Sequence, residues 1–444
     1  MRILGIETSC DETAASVVKD GYCLLSNVVA SSIDLHAAYG GVVPEIAARS
    51  HIESINPVIE KALAEAFPQK PEAQNSDFRL QTSDFDPWDQ IDGIAVTYGA
   101  GLGGSLLVGV LTARTLAIIH NKPLYGINHV EAHAYANFLT EASPSLSSTY
   151  HLPSSAPRFP MLGLIVSGGH SQLVLWRDHF DYTLLGQTHD DAIGEAFDKV
   201  AKILGLPYPG GPSISQKAHA GDPNAYKLPK AKLTSVSQEL VGLRKDMQTS
   251  SLFGLSEVQG NNEKRASRTG GTMSEARKQL TPQFAKRNDR VGGFADDSIS
   301  ATNGRGYDFS FSGLKTAVLR LAQKECGKTH EFPSQKLSEL LSEAQKANIA
   351  ASFQRVAVET VVDKTVQAFE EFQPKSVIIG GGVASSSELR RQLSDRLPLP
   401  VSYPDPKLCT DNGAMIATLG CFKAMSGQPT ADPYSLEIAP NLSM

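Results

Sequence analysis

The sequence predicts a duplicated α/β fold of two lobes with a cleft between them. Each half of the chain begins with short apolar, β-rich runs joined by a tight turn, and continues with units of strand, glycine turn and helix. Because such units bury their apolar faces in layers of sheet and helix, a recurring series predicts a repeated architecture. The predicted lobes are residues 1–140 and 161–444, with a linker-like insertion at 141–160.

The first half supplies the elements of the first lobe. Two apolar runs separated by the polar residues CDET indicate a β-hairpin, and Pro44 opens a long run with helical periodicity. A buried-type strand, a glycine-rich turn and an apolar helix follow. The predicted strands are 2–8, 14–18, 22–31 and 91–99, and the predicted helices are 44–67 and 105–120.

The second half repeats this series. Residues 161–176 are predicted to form a strand, a glycine turn and a strand, followed by a helix at 192–205. A helical zone at 334–372 precedes residues 376–393, which again read as strand, glycine turn and helix.

Three polar stretches interrupt the pattern, at 68–90, 141–160 and 227–305. Between residues 227 and 290 the largest contains 13 Lys/Arg and 6 Asp/Glu, a local positive excess. This composition favours a flexible, solvated segment. A contact with nucleic-acid phosphates is the alternative.

Composition narrows the class of protein. The 444 residues are 41% hydrophobic and 20% charged, as in an ordinary globular chain of two or three domains. The net charge of −6 does not indicate a general nucleic-acid binder. The five cysteines form no C-x-x-C pair, which disfavours a disulfide framework and a thiolate zinc site. With no signal-peptide pattern and no apolar run of membrane-spanning length, we expect a cytoplasmic protein without a membrane partner.

The stretch HVEAH at 129–133 is a candidate metal site. On a helix, His129 and His133 lie only about 40° apart and share a face. Glu131 lies about 200° from His129, so it cannot easily activate a metal-bound water as the glutamate of H-E-x-x-H does. The spacing favours two imidazole ligands; two unrelated histidines are the alternative.

A third ligand is expected from elsewhere in the chain. Asp411 lies between a probable strand and an apolar helix and is the candidate, although a plain helix N-cap is the commoner role for such an aspartate. Two histidines and one carboxylate suit Fe²⁺ or Zn²⁺ and leave positions open for a substrate or water.

Glycine turns and acidic residues suggest a nucleotide site. Four turns, at 98–105, 166–172, 208–213 and 379–387, place backbone N–H groups where a phosphate could approach, but none is a P-loop or a complete Rossmann motif. Asp11 and Glu12 lie in the first hairpin turn, and Asp198 lies on the helix at 192–205. These acids could face phosphates, a metal or a ribose hydroxyl; solvated surface acids are the alternative.

Seven motifs together resemble one family, the tRNA adenosine N6-threonylcarbamoyltransferases of the bacterial TsaD type. They occur in family order over nearly the whole chain, apart from the three insertions. They are GIETSCDETA (5–14), HAAYGGVVPEIAARSH (36–51), GINHVEAHAYA (126–136), IVSGGHSQL (165–173), DDAIGEAFDKVAKILGLPYPGGP (190–212), DFSFSGLKTAV (308–318) and TDNGAMIA (410–417).

The resemblance implies an actin-like, sugar-kinase-related fold and a specific reaction. The threonylcarbamoyl group would move from threonylcarbamoyl-AMP to N6 of the adenosine 3′-adjacent to the anticodon, in tRNAs that read codons beginning with A, with release of AMP. It also implies three partners: a paralogous inactive-type subunit, a small ATPase, and the synthase that makes the adenylate.

The resemblance assigns the site residues as follows. His129, His133 and Asp411 would bind the metal, with Fe²⁺ favoured and Zn²⁺ as the alternative, and Asp11 and Glu12 would form an acidic turn needed for activity. The adenylate would be held by Ile165, Val166, Ser167, Gly168, Gly169, Asp198, Gly211 and the position of Ser386.

Two positions depart from the family pattern, and other functions compete. Ser386 stands where the family has asparagine, and Ala100 where the glycine turn usually has proline. The contact of the missing amide would be lost, mediated by water or supplied by Ser385 or Ser387. A metallopeptidase, a sugar or acetate kinase and an inactive scaffold are the competing hypotheses.

Overall fold

Two mixed β-sheets with matching strand orders organise the chain in the computed structural model, which describes residues 1–68, 85–141, 156–230 and 306–444. The strands are β1 (Arg2–Glu7), β2 (Glu12–Lys19), β3 (Cys23–Ser31), β4 (Gly93–Gly99), β5 (Leu124–Asn128), β6 (Thr140–Glu141), β7 (Met161–Val166), β8 (Ser171–Asp178), β9 (Asp181–Gln187), β10 (Ser376–Gly380) and β11 (Val401–Ser402). The α-helices are α1 (Ile33–Ala37), α2 (Pro44–Ala66), α3 (Gly103–Ile119), α4 (His129–Tyr135), α5 (Ile193–Leu204), α6 (Gly210–Ala218), α7 (Ser312–Glu325), α8 (Glu343–Phe372), α9 (Ser387–Arg396), α10 (Pro406–Cys409) and α11 (Gly413–Met425).

The first sheet has the strand order β5-β4-β1-β2-β3-β6. Strands β1, β2 and β3 form an antiparallel meander, whereas β4 pairs parallel to β1 and β5 parallel to β4. Strand β1 is central, and its run RILGIE is buried from Ile3 onward. A continuous apolar run of this kind is expected for a strand that is covered on both faces.

The second sheet repeats the arrangement with the order β11-β10-β7-β8-β9. Strands β7, β8 and β9 form the antiparallel meander, β10 pairs parallel to β7, and β11 parallel to β10. Strand for strand, β7 to β11 therefore take the places of β1 to β5. The predicted duplicated two-lobed α/β fold is confirmed.

The last helix, α11, packs against β1 and β2 of the first sheet. Gly5 allows this approach, because a Cβ there would lie 2.2 Å from the carbonyl oxygen of Gly413. Residues 413–422 of the helix are all buried, which explains its apolar sequence. The chain beyond it stays on the same sheet, where Ala431 and Ala439 donate backbone hydrogen bonds to the carbonyls of Leu124 and Tyr98.

Helix α4 lies in an apolar core shared by the two sheets. Its residues Val130 and Tyr135 belong to a buried cluster with Ile165 of β7, Trp176 of β8 and Met415 of α11. The HVEAH stretch therefore sits between the two halves of the molecule.

The predicted strands and helices of both halves are present, most with small shifts at their ends. The helical zone predicted at 334–372 is an exception, because its long helix begins only at Glu343, after a short 3-10 turn at Ser334–Lys336. Strands β5 and β9 and helix α7 were not predicted, and β5 leads directly into the HVEAH helix. The described residues form one compact unit, and the lobe boundaries at 140 and 161 stay predictions. Most of each polar insertion lies outside the described residues. This includes the basic stretch from residue 231 onward, so the flexibility of that stretch stays a prediction. No helix in the described ranges combines the length and apolarity that a membrane span requires.

Candidate metal centre

Helix α4 presents two histidines one turn apart. It follows β5 directly, and the Asn128 side chain accepts hydrogen bonds from the backbone N–H groups of Val130 (2.9 Å) and Glu131 (3.3 Å). This N-cap starts the helix at His129. The ring centroids of His129 and His133 lie 4.7 Å apart. The predicted helical spacing of the two imidazoles is confirmed.

Asp411 reaches the same point from the turn between α10 and α11. Its Oδ1 lies 3.5 Å from Nε2 of His129 and 3.4 Å from Nε2 of His133. The N-cap of α11 is the neighbouring Asn412, which accepts a hydrogen bond from the backbone N–H of Met415 (3.0 Å). The structure thus brings together the three predicted ligands, whose donor atoms lie within 4.8 Å of one another.

This donor set fits a divalent cation. Both ring nitrogens of His133 are buried and make no hydrogen bond within the described part of the chain, although buried polar atoms normally have a partner. Bonds of about 2.0–2.2 Å to one ion place neighbouring donor atoms roughly 3–3.5 Å apart, which is close to the separations between Asp411 and the two imidazoles. Asp411 is 19% exposed, so the group is open to a ligand on its side.

Glu7, at the end of β1, orients the His129 ring from behind. Nδ1 of His129 donates to Oε2 of Glu7 over 3.1 Å, and Oγ of Ser9 lies at the same distance from Nδ1. The carboxylate is fully buried and also accepts hydrogen bonds from the backbone N–H of Ser9 and the hydroxyl of Thr97. With the proton on Nδ1, Nε2 is left free to face Asp411 as a ligand.

The charges around the histidines favour a cation. Burial by itself would lower the pKa of His129, but Asp411 and Glu7 outweigh burial and raise that pKa to about 9. Burial likewise opposes ionisation of Asp411, yet the imidazoles of His129 and His133 hold its pKa well below the ordinary value. Negative charges that hold a proton on a buried imidazole also favour a metal ion in place of that proton.

The acidic turn adjoins the triad. Asp11 is buried in the turn and Glu12 begins β2. Burial, followed by the charges of Asp411 and Asp11, raises the pKa of Glu12 to about 10. The carbonyl of Asp11 accepts hydrogen bonds from the backbone N–H (3.0 Å) and hydroxyl (2.9 Å) of Ser32. Glu12 therefore lies in the electrostatic neighbourhood of Asp411, with Asp11 beside it.

The glycine turn after β7 is held by short local bonds. Ile165 and Val166 are buried at the end of the strand, so their backbones are the parts that can meet a ligand. Ser167 donates its N–H to the carbonyl of His170 (2.8 Å), and its Oγ accepts the N–H of His170 (3.1 Å).

The tip of this turn is open and close to the candidate metal ligands. A Cβ added to Gly168 or Gly169 would meet no atom within 4 Å, which leaves room for a ligand against their backbone. The His170 ring that follows has its centroid 6.2 Å from that of His129. The glycine turn and the histidine pair therefore border the same space.

The remaining predicted site residues lie on neighbouring turns. Oδ1 of Asp198 on α5 accepts the N–H of Gly210 (2.6 Å) and so fixes the start of α6, where Gly211 is open in the same way as Gly168. Ser386 instead caps α9, its Oγ accepting the N–H of Leu389 (3.4 Å). Across the described residues, the hydrogen bonds of Ser386 stay within its own turn and α9, and none reaches the triad.

Comparison with known proteins decides the family. The family model described as "TsaD: tRNA N6-adenosine threonylcarbamoyltransferase" matches residues 23–252 and 258–418. A relative of that name from Thermomicrobium roseum is 41% identical over 434 residues, covering 96% of this chain and 93% of the relative. Another, from Dehalococcoides mccartyi, is 38% identical over 445 residues, covering 100% and 99%. The chain belongs to the tRNA N6-adenosine threonylcarbamoyltransferase family. The predicted family and transferase class are confirmed.

The fold of this chain also has distant likenesses among solved structures. The activator of the 2-hydroxyisocaproyl-CoA dehydratase from Clostridium difficile matches 96% of this chain and 96% of its own, at 12% identity and a TM-score of 0.40. A likeness this low supports no conclusion about function, and the fold rests on the two matching sheets.

Glu131 is buried away from the triad. Its Oε1 has no hydrogen-bond partner among the described residues, and burial, opposed by Lys423, raises its pKa to about 7. Lys423 on α11 in turn donates to the carbonyl of Gly126 (3.0 Å). The glutamate of HVEAH thus belongs to the opposite side of α4, as its helical angle predicts.

Glu7 and His170, which adjoin the candidate triad, were not predicted from the sequence. The signal for Glu7 was a charged residue at the end of an otherwise apolar strand, and the signal for His170 was a histidine inside a glycine turn. Neither pattern names a partner, because the partners come from distant parts of the chain.

Proposed function

We propose that the chain transfers the threonylcarbamoyl group of threonylcarbamoyl-AMP to N6 of the adenosine 3′-adjacent to the anticodon, in tRNAs reading codons that begin with A. The observation that carries this is the meeting of His129, His133 and Asp411 beside the open glycine turn. A candidate metal triad beside glycines whose backbone is open to a ligand suits a donor that is an acyl phosphate anhydride.

The metal ligands in this proposal are His129, His133 and Asp411, and the ion is Fe²⁺, with Zn²⁺ as the alternative. When bound, the ion supplies positive charge that polarises carbonyl or phosphate oxygens. Glu7 keeps the proton of His129 on Nδ1 and holds the ring in place. Metal analysis of protein purified without oxygen distinguishes the two ions.

The adenylate would lie along the glycine turns. The backbone from Ile165 to Gly169 and at Gly211 offers N–H groups to the phosphate, since no side chain fills the space at Gly168, Gly169 or Gly211. Asp198 is within reach of the same cleft and would accept a ribose hydroxyl. Ser386 would contribute through its turn, with its hydroxyl already committed to the cap of α9.

The reaction is an acyl transfer in which few covalent steps are required of the protein. The N6 amine attacks the carbamoyl carbon, the bond from that carbon to the phosphate oxygen breaks, AMP leaves, and the amine loses a proton. The donor is already activated, so alignment of a weakly nucleophilic amine with its carbonyl is the main demand on the site. Asp11 and Glu12 would shape the charge of the cleft opposite the glycine turn.

The proposal extends to partners and location. A paralogous inactive-type subunit, a small ATPase and the synthase that makes threonylcarbamoyl-AMP are expected to work with this chain in the cytoplasm, and tRNA is its acceptor. The lobes, expected at 1–140 and 161–444, would flank the cleft, with α11 and the chain beyond it packed on the first sheet.

The deciding experiment mixes the purified chain with threonylcarbamoyl-AMP and unmodified tRNA and analyses the nucleosides by mass spectrometry. We expect threonylcarbamoyladenosine and an equal amount of AMP. No modified nucleoside, even after the three partners are added, would reject the proposal. Chelator-sensitive cleavage of proteins by the same preparation would instead support the metallopeptidase.

A further inference from the structure

A loop at residues 36–43 is fastened to the acidic turn by a chain of hydrogen bonds. Nδ1 of His36 accepts the backbone N–H of Val43 (3.2 Å), so the ring proton lies on Nε2. Nε2 then donates to Oγ of Ser32 (3.1 Å), and that hydroxyl donates to the carbonyl of Asp11 (2.9 Å). The His36 ring is fully buried. The base of the loop is therefore held in one geometry relative to Asp11.

The tip of the loop reaches the second lobe. Backbone bonds from Tyr39 to the His36 carbonyl (3.0 Å) and from Gly40 to the Ala37 carbonyl (3.1 Å) close a tight turn. Gly40 has φ +69, and a Cβ there would lie 3.9 Å from Nζ of Lys202 on α5. Lys202 stands one helical turn beyond Asp198, on the same side of α5.

Tyr39 lies on this loop between His36, which is tied to the acidic turn, and Gly40, which adjoins Lys202 of α5. Its surface is 63% accessible, while the base of the loop is held by the buried His36 ring. An aromatic ring on a rigid support loses little conformational entropy when a partner covers it. Proteins that accept an unstacked nucleobase commonly receive it on such a ring, with a nearby cation against the phosphate.

We propose that Tyr39 is the stacking platform for the acceptor adenine and that Lys202 contacts a phosphate beside it. The inference rests on the proposed function, since it supposes an RNA acceptor. It adds the residues that receive the acceptor base and its phosphate.

The test uses full-length, metal-loaded protein and a tRNA that carries 2-aminopurine in place of the acceptor adenosine. Stacking quenches 2-aminopurine fluorescence, so the wild-type protein should quench it. Tyr39→Ala should remove the quenching and weaken tRNA binding about ten-fold. Tyr39→Phe, which keeps the ring, should behave as wild type.

Two further variants separate stacking from other effects. Lys202→Ala should retain the quenching and reduce the slope of log affinity against log salt by about one unit. Tyr434→Ala removes a ring that is 72% exposed on the tail and serves as the matched control with wild-type quenching.

The outcomes also distinguish this inference from the proposed function. Full quenching by Tyr39→Ala, or none by a wild-type preparation that does make threonylcarbamoyladenosine, would overturn the stacking role and leave the transferase intact. Failure of the wild-type preparation to make that nucleoside would count against the function itself.

Discussion

Each ring nitrogen of His129 faces a different carboxylate. Glu7 accepts a hydrogen bond from Nδ1 on one side, and Asp411 faces Nε2 on the other. His133, one turn further, has no such second partner and is completely buried. The affinity of this histidine pair for a metal ion should therefore depend on Glu7 as well as on the ligands themselves.

Replacing Glu7 by glutamine should weaken metal binding about 10–100-fold, because the amide cannot polarise the His129 ring as the carboxylate does. Competition against a chromophoric chelator measures the affinity. Glu131→Gln is the matched control, since it alters another buried carboxylate on the far side of α4 and should leave the affinity unchanged. Equal losses in the two variants would mean that general destabilisation, and not the bond to His129, is responsible.

An asparagine helix cap lies next to the candidate metal ligands in two places. Asn128 precedes His129 and caps α4, while Asn412 follows Asp411 and caps α11. Asn128 also donates through Nδ2 to the carbonyl of Ser443 (3.2 Å), which ties the start of the metal helix to the tail. These caps place the ligands by setting where the two helices start.

Truncating the cap in Asn128→Ala should cost about 1 kcal/mol of stability and also reduce metal affinity. Ser342→Ala removes a capping box at the start of α8 and provides the comparison. Both variants should shift urea unfolding by similar amounts, but only the first should alter chelator competition. Unchanged metal affinity in Asn128→Ala would show that the helix start is set by other contacts.

Asp190 joins the entrance of α5 to the start of α7. Its carboxylate accepts hydrogen bonds from the hydroxyls of Ser310 (2.5 Å) and Ser312 (2.6 Å) and the N–H of Phe311 (2.8 Å). Burial opposes ionisation, yet these donors lower the pKa of Asp190. A carboxylate with a lowered pKa stabilises the folded state above its ordinary pKa, and this contribution is lost as the pH falls.

Asp190→Asn should therefore be less stable than wild type at about pH 7 and approach it at about pH 3, because the amide resembles the protonated acid. Urea unfolding at the two pH values measures the difference. A gap that stays constant across the range would show that the charge of Asp190 contributes nothing.

The candidate metal ligands His129, His133 and Asp411 bring distant parts of the chain together. The histidines follow a strand of the first sheet, and the aspartate lies where the chain passes from the second half back to that sheet. An ion that binds only this folded arrangement adds to the free energy of unfolding according to its concentration over its Kd.

Removing the metal should accordingly lower the melting temperature. With free ion at about 100 times its Kd, the lost stabilisation is about 2.7 kcal/mol. Differential scanning calorimetry with and without chelator checks this, and His133→Ala should melt at the same temperature in both conditions. If chelator shifts the variant as much as wild type, the stabilising ion lies elsewhere.

Much of this protein could be predicted from sequence periodicity. The apolar runs of β1 and β7, the glycine turn after β7 and the helical spacing of His129 and His133 depend on neighbours a few residues away, so local pattern was sufficient. Strands β5 and β9 and helix α7 were not predicted, because short or weakly patterned segments receive their structure from packing and leave little local pattern to read.

The duplicated fold, the resemblance to the family and the candidate ligands can be read from the order of residues along the chain. The folded chain adds that Asp411 meets the two histidines, that Glu7 lies behind His129, and that Ser386 serves as a helix cap. These are contacts between residues far apart in the chain. They depend on how α11 returns to the first sheet, which the local chemistry of any one segment does not specify.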